Sequence, residues 1–187
     1  MSIFDKLMAV KQVAFTDGEI KLMNQRVMFI PNEVNIALTK VMLENKNLIG
    51  KIYQIIKKDF NAGWSKSLKQ AYGFDSRKFM EWLINLTNLS GWGINKLENF
   101  DATNKTGIFT IQGAPAASYF NGKINEPVDH LLRALYAGGA STVFGEEIDW
   151  IEVECQAKGA QKCKLVFGPR KELLEKYPEF GYQITEK

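Results

Sequence analysis

Hydrophobic positions recur every three or four residues through the first half of the chain, which is the period of amphipathic helices. Helices are predicted over residues 3–15, from Asn32 onward, from Asn47 to about Tyr72, and from a cap at Asp75 or Ser76. Their apolar faces carry Val34, Leu38, Val41 and Met42, then Ile52, Ile55, Ile56, Phe60 and Trp64, then Phe79, Trp82, Leu83 and Leu86. Alternation around Ile20 and Val27 adds two short strands before Pro31.

From Gly91 onward the pattern changes to segments typical of strands. Residues 94–100 and 107–112 are predicted to form a hairpin, and one helix containing His130 follows. A second hairpin spans residues 148–167, with its turn at Lys158-Gly159. This order predicts a single α+β domain over residues 1–187, with helices packed on an antiparallel sheet. It would have a helix-rich half (about 1–90), a sheet half (about 91–170) and a polar tail (171–187).

Composition excludes several classes of function. The net charge of +3 is small and evenly spread, so nucleic acid is not an expected partner. We interpret the lysines at 57–58 and 66–69 as a solvated face. No run of about 18 apolar residues predicts a membrane span. The first residues lack the pattern of a secretory signal, and the expected location is therefore cytoplasmic.

The only two cysteines, Cys155 and Cys163, fall on the two arms of the second predicted hairpin. In the cytosol they are expected to be reduced thiols or metal ligands, although a hairpin could also bring them within disulfide distance. The only histidine, His130, and the acids Asp129, Glu152 and Glu154 could converge with them on one zinc ion. Taken alone, two cysteines are not a zinc signature, and these residues favour two buried thiols and a histidine that packs a helix.

An ordered set of short motifs resembles the 4-vinyl reductase domain family. The set is Gly18-Glu-Ile, Arg26-Val-Met-Phe-Ile-Pro31, Gly91-Trp-Gly93, Pro127-Val, Gly138, Ala140-Ser141, Glu152-x-x-Cys155, Gly159 and Cys163. The superfamily also includes TRAPP vesicle-tethering core subunits and the sensor domains of bacterial phenol-responsive activators. The resemblance covers most of the chain. It implies a twisted antiparallel sheet against helices, a homodimer, and an apolar cavity between helices and sheet.

The resemblance also implies a structural zinc site. In metal-binding members a cysteine after Pro-Val, a glutamate and two hairpin cysteines hold the ion, and Glu152, Cys155 and Cys163 fit that pattern. Asp129 stands at the first cysteine position, next to His130. We favour His130 as the fourth ligand because imidazole suits zinc and leaves less net charge, with Asp129 as the alternative. Glu152 and Cys155 are three residues apart, so a bulge or a strand end near Val153 is required to bring them to one side.

Three functions are compatible with this resemblance. The first is a sensor domain that binds a small apolar or aromatic ligand and acts through a separate output protein. Its candidate ligand-binding residues are Phe79, Trp82, Trp92, Phe109 and Tyr119. Phenol itself is disfavoured, because the His and Trp with which phenol sensors hold the hydroxyl are not found in register. The second is a tethering or scaffold subunit. The third is a reductase acting on a vinyl group, which is least favoured because no motif for a redox cofactor is present.

Overall fold

The structure, a computed structural model, describes residues 13–22 and 25–185. These form two compact units, which divide between Pro31 and Asn32. The first unit is an antiparallel meander of β1 (Val13–Thr16), β2 (Glu19–Leu22) and β3 (Gln25–Val27). The left-handed backbone at Gly18 makes the tight turn between β1 and β2. The predicted helix over residues 3–15 is wrong at residues 13–15, which lie in β1, and its other residues lie outside the described part.

The second unit is built of helices and one four-stranded antiparallel sheet. Its helices are α1 (Asn32–Glu44), α2 (Asn47–Phe60), α3 (Lys66–Tyr72), α4 (Ser76–Leu89), α5 (Pro115–Tyr119), α6 (His130–Phe144) and α7 (Arg170–Lys176). Its strands are β4 (Ile94–Asp101), β5 (Thr106–Gln112), β6 (Ile148–Glu154) and β7 (Cys163–Pro169), in the spatial order β4-β5-β7-β6. The predicted α+β class, with helices packed on an antiparallel sheet, is confirmed. A single domain over residues 1–187 stays a prediction.

The long helix predicted from Asn47 to Tyr72 is continuous but contains a wider turn. A π-helical turn, Asn61–Ser65, separates α2 from α3. The predicted cap of α4 is also confirmed, since the Asp75 side chain accepts a hydrogen bond from the backbone N–H of Lys78 at 2.8 Å. The short helix α5 was not predicted, because five residues show no periodicity.

Helix α6 packs against α2, α4 and β6 and is the central helix of the unit. Small residues allow α6 to approach α2 closely, since a Cβ on Gly138 would lie 2.7 Å from the carbonyl oxygen of Lys57 in α2. The face of the sheet below α6 is filled by stacked aromatic rings. Tyr136 stacks on Trp150, and Trp150 stacks on Phe167, with ring centroids 4.9 and 4.6 Å apart.

The buried side of α2 contains a charged residue. Lys57 is 2% exposed and its ammonium donates to Asp149 of β6 at 2.8 Å. Tyr53 also donates to this carboxylate, and the guanidinium of Arg170 donates to its other oxygen. The interpretation of Lys57 as part of a solvated face is therefore wrong, because a buried carboxylate on β6 provides its partner.

Strand β6 is at the edge of the sheet, and its outer backbone groups are paired by side chains. The pairs are Ile148 with Ser141, Trp150 with Tyr53 and Arg133, and Glu152 with Gln183. An unpaired edge would offer a template for another strand. These bonds instead join α2, α6 and the C-terminal 3₁₀ segment Pro178–Gln183 to one strand.

Candidate functional site

Four potential metal ligands meet where α6, β6 and β7 come together. Asp129 precedes the first turn of α6, Glu152 is in β6, Cys155 follows β6 and Cys163 begins β7. The pairing of β6 with β7 shifts register between Glu152 and Glu154. This confirms the bulge required near Val153, and it lets a residue pair three apart in sequence reach one site.

The four side chains form a compact and buried set. One ligand atom from each of Asp129, Glu152, Cys155 and Cys163 lies within 4.8 Å of all the others. The two sulfur atoms are 3.8 Å apart, and both thiols are free. Zinc–sulfur bonds of about 2.3 Å at a tetrahedral angle place two sulfur atoms roughly 3.8 Å apart. The sulfur separation therefore fits a shared metal ion better than a disulfide, whose sulfur atoms are about 2.05 Å apart.

The carboxylates of Glu152 and Asp129 each have one buried oxygen that could bind a metal ion. Glu152 Oε2 accepts backbone hydrogen bonds from Val128 at 3.1 Å and Asp129 at 3.0 Å. Its other oxygen, Oε1, is buried without a hydrogen-bond partner among the described residues, and so is Asp129 Oδ2. Buried carboxylate oxygens without a partner are costly. A cation between these oxygens and the two sulfur atoms would remove that cost, so the residues fit a divalent metal ion.

Burial is the main cause of the pKa shifts of the two carboxyl groups, and their charged neighbours add to it. Burial raises the pKa of Asp129 well above its ordinary range, and the charge of Glu152 adds to the effect. Burial, with Cys155 beside it, raises the pKa of Glu152 to about 8. The hydrogen bond between the sulfur atoms lowers the pKa of Cys155 and raises that of Cys163. A bound cation would reverse this repulsion and favour the deprotonated forms.

His130 is adjacent to Asp129 but is not a member of the four-residue set. Its Nδ1 lies 3.0 Å from Nη2 of Arg133, one turn along α6. Its Nε2 is buried without a hydrogen-bond partner in the described residues. Burial, and secondarily the charge of Arg133, lowers the pKa of His130 well below its ordinary value, so the ring is neutral. The structure thus groups Asp129, rather than His130, with Glu152 and the cysteines.

Arg133 is a residue near the site that sequence reasoning missed. It is fully buried, and its guanidinium donates to the carbonyl oxygen of Trp150 at 2.8 Å. Within residues 13–22 and 25–185 no carboxylate forms a salt bridge with it. Its positive charge nevertheless favours the ionised forms of Asp129 and Glu152. An arginine in an otherwise apolar helix, three residues after His130, is the sequence signal that could have identified it.

The five aromatic residues predicted to bind a ligand do not lie together. Phe79 and Trp82 belong to one cluster of rings, with centroids 6.1 Å apart. Phe109 is in the filled core beside Tyr136 and Trp150. Tyr119 is 41% exposed and lies under the ammonium groups of two lysines. Trp92 is partly buried in the turn that leads into β4. A ligand-binding role for these residues stays a prediction.

The cluster around Trp82 contains two polar atoms without partners. Its rings are Phe60, Trp64, Phe74, Phe79 and Trp82. Trp64 and Ser65 are consecutive residues of the π-helical turn, and both Trp64 Nε1 and Ser65 Oγ are buried without a hydrogen-bond partner in the described part of the chain. A serine in a regular helix can bond to the carbonyl four residues earlier, as Ser67 does. π-helical turns are frequent at functional sites.

Two surface clefts are also present. One, of about 530 Å³, is lined by Asn61, Lys66, Lys69, Gln70, Ser141, Thr142, Gly145, Glu146 and Glu147. The other, of about 200 Å³, is lined by Lys46, Asn47, Tyr182 and Thr185. Apart from Gly145, the residues that line them have polar or charged side chains, so neither is the apolar cavity that the resemblance implies. Across the part of the chain that the structure describes, every helix is too short or too polar to traverse a bilayer.

Comparison with known families confirms the resemblance found in the sequence. Residues 108–169, which run from β5 through the hairpin with both cysteines, match the family model of the 4-vinyl reductase domain. They contain all four residues of the metal-ligand set. Among curated proteins, no relative matches this chain.

Two solved structures, with TM-scores of 0.73 and 0.50, share the fold of this chain. The phenol-responsive sensory domain of the transcription activator PoxR, with phenol, has a TM-score of 0.73 at 17% identity, covering 97% of this chain and 96% of that one. A trafficking protein particle complex subunit 3 from Naegleria fowleri, covalently bound to palmitic acid, has a TM-score of 0.50 at 10% identity, covering 73% and 91%. A vinyl-4-reductase family protein from Methanocaldococcus jannaschii has a TM-score of 0.49 at 20% identity, covering 75% and 82%.

Proposed function

We propose that this chain is a small-molecule-binding domain of the sensor type, whose C-terminal half is stabilised by a structural zinc ion. The observation that carries the sensor role is the likeness, over nearly the whole chain, to a sensory domain with phenol. At 17% identity this likeness shows the shared fold, and the residues of this chain support the role.

Zinc is supported by the chemistry of the four-residue set. Two thiolates and two carboxylates give a tetrahedral shell, and both unpartnered oxygens are free to bind a cation. On this geometry we propose Asp129, not His130, as the fourth ligand. Four protein ligands leave no open position, so the ion would be structural. It would join the start of α6 to the β6–β7 hairpin.

For the ligand, we propose the ring cluster at the π-helical turn. Phe79 and Trp82 would contact an aromatic or apolar molecule, as predicted from the sequence. Trp64 Nε1 and Ser65 Oγ are buried donors without partners, so they would bind a hydrogen-bond acceptor on it. A ligand without such an acceptor would leave both donors unpaired, which disfavours a pure hydrocarbon.

A homodimer is the third part of the proposal. Three residues of the apolar side of α1 predicted from the sequence, Val34, Leu38 and Val41, are between 43% and 49% exposed among the described residues. Met42, the fourth, is buried, as is Ile36. Residues at this spacing line one face of a helix. A second copy of the chain would remove this face from water, and a separate protein would carry the output.

The test is native mass spectrometry with elemental analysis on freshly purified full-length protein. We expect one zinc ion per chain, lost in Cys155→Ser and Asp129→Ala, and retained in His130→Ala. For the ligand, a panel of small aromatic carbonyl compounds and their hydrocarbon analogues would be screened by thermal shift. We expect binding that weakens in Trp64→Phe and Ser65→Ala but not in Trp92→Phe. Protein that folds without zinc and raises its melting temperature with no compound would refute both parts.

A scaffold subunit is the second candidate. The observation that favours it is the space between α6 and the sheet, which the chain fills with its own rings, Tyr136, Trp150 and Phe167. A scaffold would show neither a bound organic molecule nor a thermal shift, and it would bind its partner through the exposed face of α1.

A further inference from the structure

The C-terminal segment returns to the strand that carries Glu152. After α7 the chain forms the 3₁₀ segment Pro178–Gln183, which packs beside α2 and β6. Gln183 and Ile184 are fully buried, although they lie near the end of the described residues. Gln54 in α2 donates to the carbonyl oxygen of Ile184 and secures the segment. A glutamine side chain is seldom fully buried without a specific partner.

That partner is the backbone of Glu152. The Gln183 side chain accepts a hydrogen bond from the Glu152 N–H at 2.9 Å and donates one to the Glu152 carbonyl oxygen at 3.0 Å. One amide therefore satisfies both outer backbone groups of this residue. Glu152 lies opposite Leu165 of β7. Both backbone groups of Glu152 point away from β7, so their hydrogen bonds are those with Gln183, one residue before the bulge that turns the strand toward Cys155.

The buried guanidinium of Arg133 also lies beside Gln183. Its Nη1 and Nη2 each lie 3.4 Å from the backbone carbonyl oxygen of Gln183. Two thiolates and two carboxylates carry a formal charge of −4, so a divalent ion would leave about −2. Arg133 supplies a positive charge close to this remaining negative charge, and the C-terminal segment keeps water away from the site.

We propose that Gln183 is a positioning residue of the metal centre, and that metal binding and the order of the segment Pro178–Ile184 stabilise each other. Gln183 fixes the backbone of Glu152, so that its carboxylate keeps one oxygen on the amides of Val128 and Asp129 and directs the other to the metal. Coupling between two sites is reciprocal. The inference rests on the proposed zinc site and extends it to a segment outside the residues that match the 4-vinyl reductase domain model.

The test compares zinc affinity in full-length variants, by competition with a chromogenic chelator. Gln183→Met keeps the length of the side chain and removes both hydrogen bonds. We expect its zinc affinity to fall about 10- to 100-fold, as for other outer-shell partners of metal ligands. Tyr182→Phe is the matched control: it removes one hydrogen bond of the same segment, to Glu126, and leaves both bonds to the Glu152 backbone in place, so its zinc affinity should fall at least fivefold less than that of Gln183→Met.

The reciprocal effect is measured by hydrogen exchange of the unmodified chain with and without zinc. We expect zinc removal to speed amide exchange in residues 178–185 more than in α3, which does not contact the site. If Gln183→Met does not fold, this measurement still decides the inference. Zinc affinity of Gln183→Met within twofold of the unmodified chain, or equal exchange of the segment in both states, would overturn the inference and leave the zinc site standing. Absence of zinc from the unmodified chain would overturn both.

Discussion

Raising the pH from about 6.5 to about 8 should destabilise the metal-free protein, because Glu152 must lose its proton inside the fold. Burial raises the pKa of Glu152 to about 8, whereas a glutamate in an unfolded chain titrates at about 4.3. Between these values the folded state binds one proton more than the unfolded state. The free energy of unfolding then falls with rising pH by up to about 1.4 kcal/mol per unit, or roughly 2 kcal/mol over this range.

The lower limit of the range is set by His130. Burial lowers its pKa in the folded state, so below about pH 6.5 the unfolded chain binds the extra proton, and His130 makes stability rise with pH. Above that pH the histidine is neutral in both states and no longer opposes Glu152.

Zinc binding would reverse the sign of the pH dependence of the free energy of unfolding. In the zinc-loaded protein Cys155 and Cys163 are thiolates, while the thiols of the unfolded chain stay protonated up to about pH 8.5. The unfolded state then binds more protons, so stability rises with pH at a fixed concentration of free zinc. Opposite slopes in the two states are the signature of a buried acidic ligand set.

The assay is urea unfolding at several pH values, with chelator and with zinc. Glu152→Gln is the control, because glutamine keeps the shape and cannot titrate, while Asp129 and the cysteines remain in both proteins. We expect the metal-free unmodified chain to lose about 2 kcal/mol relative to this variant between pH 6.5 and about pH 8. Parallel pH profiles of the two metal-free proteins would refute the reasoning.

Two substitutions test the packing that supports the site. Lys57→Met removes one of the two cations that pair with the buried Asp149 and leaves Arg170 as the other. We expect it to cost about 1–3 kcal/mol in urea unfolding, against less than about 0.5 kcal/mol for the exposed Lys58→Met; equal losses in the two variants would contradict the buried ion pair. Gly138→Ala places a Cβ 2.7 Å from a backbone oxygen of α2, and we expect a loss of about 1–3 kcal/mol by thermal unfolding. Gly63→Ala, with open space around it, should be neutral or stabilising, and equal stability of the two variants would show that α6 can move away from α2 freely.

Alternation and turn residues predict the two arms of the hairpin and the left-handed turn at Gly159. Cys163 begins β7 as predicted, whereas Cys155 follows the end of β6 and precedes the 3₁₀ turn Gln156–Lys158, which the pattern did not predict. The three-residue separation of Glu152 and Cys155 is incompatible with a regular strand, so a bulge or strand end near Val153 could be predicted from the sequence. The structure confirms it.

Periodicity identified the buried side of α4, where Phe79, Leu83 and Leu86 are buried, but not that of α2. In α2 the inward residues include Tyr53 and Lys57, whereas Ile55 is 49% exposed. A lysine is counted as polar in any hydrophobic pattern, and the carboxylate that pairs with it is far away along the chain, on β6. Only the docking of α2 against β6 places Asp149 opposite Lys57.

Whether Asp129 or His130 lies with Glu152 and the cysteines also depends on packing between segments that are far apart in sequence. The residues are adjacent at the start of one helix, and consecutive side chains there point about 100° apart. Their chemistry favoured histidine as a zinc ligand, and sequence alone contains no signal for the direction of either side chain. In the structure Asp129 falls within the set formed with Glu152 and the cysteines, whereas His130 lies beside Arg133. The candidate ligand types could therefore be predicted from the sequence, whereas the set that meets at one point depends on how the start of α6 lies against β6 and β7, because those residues are far apart along the chain.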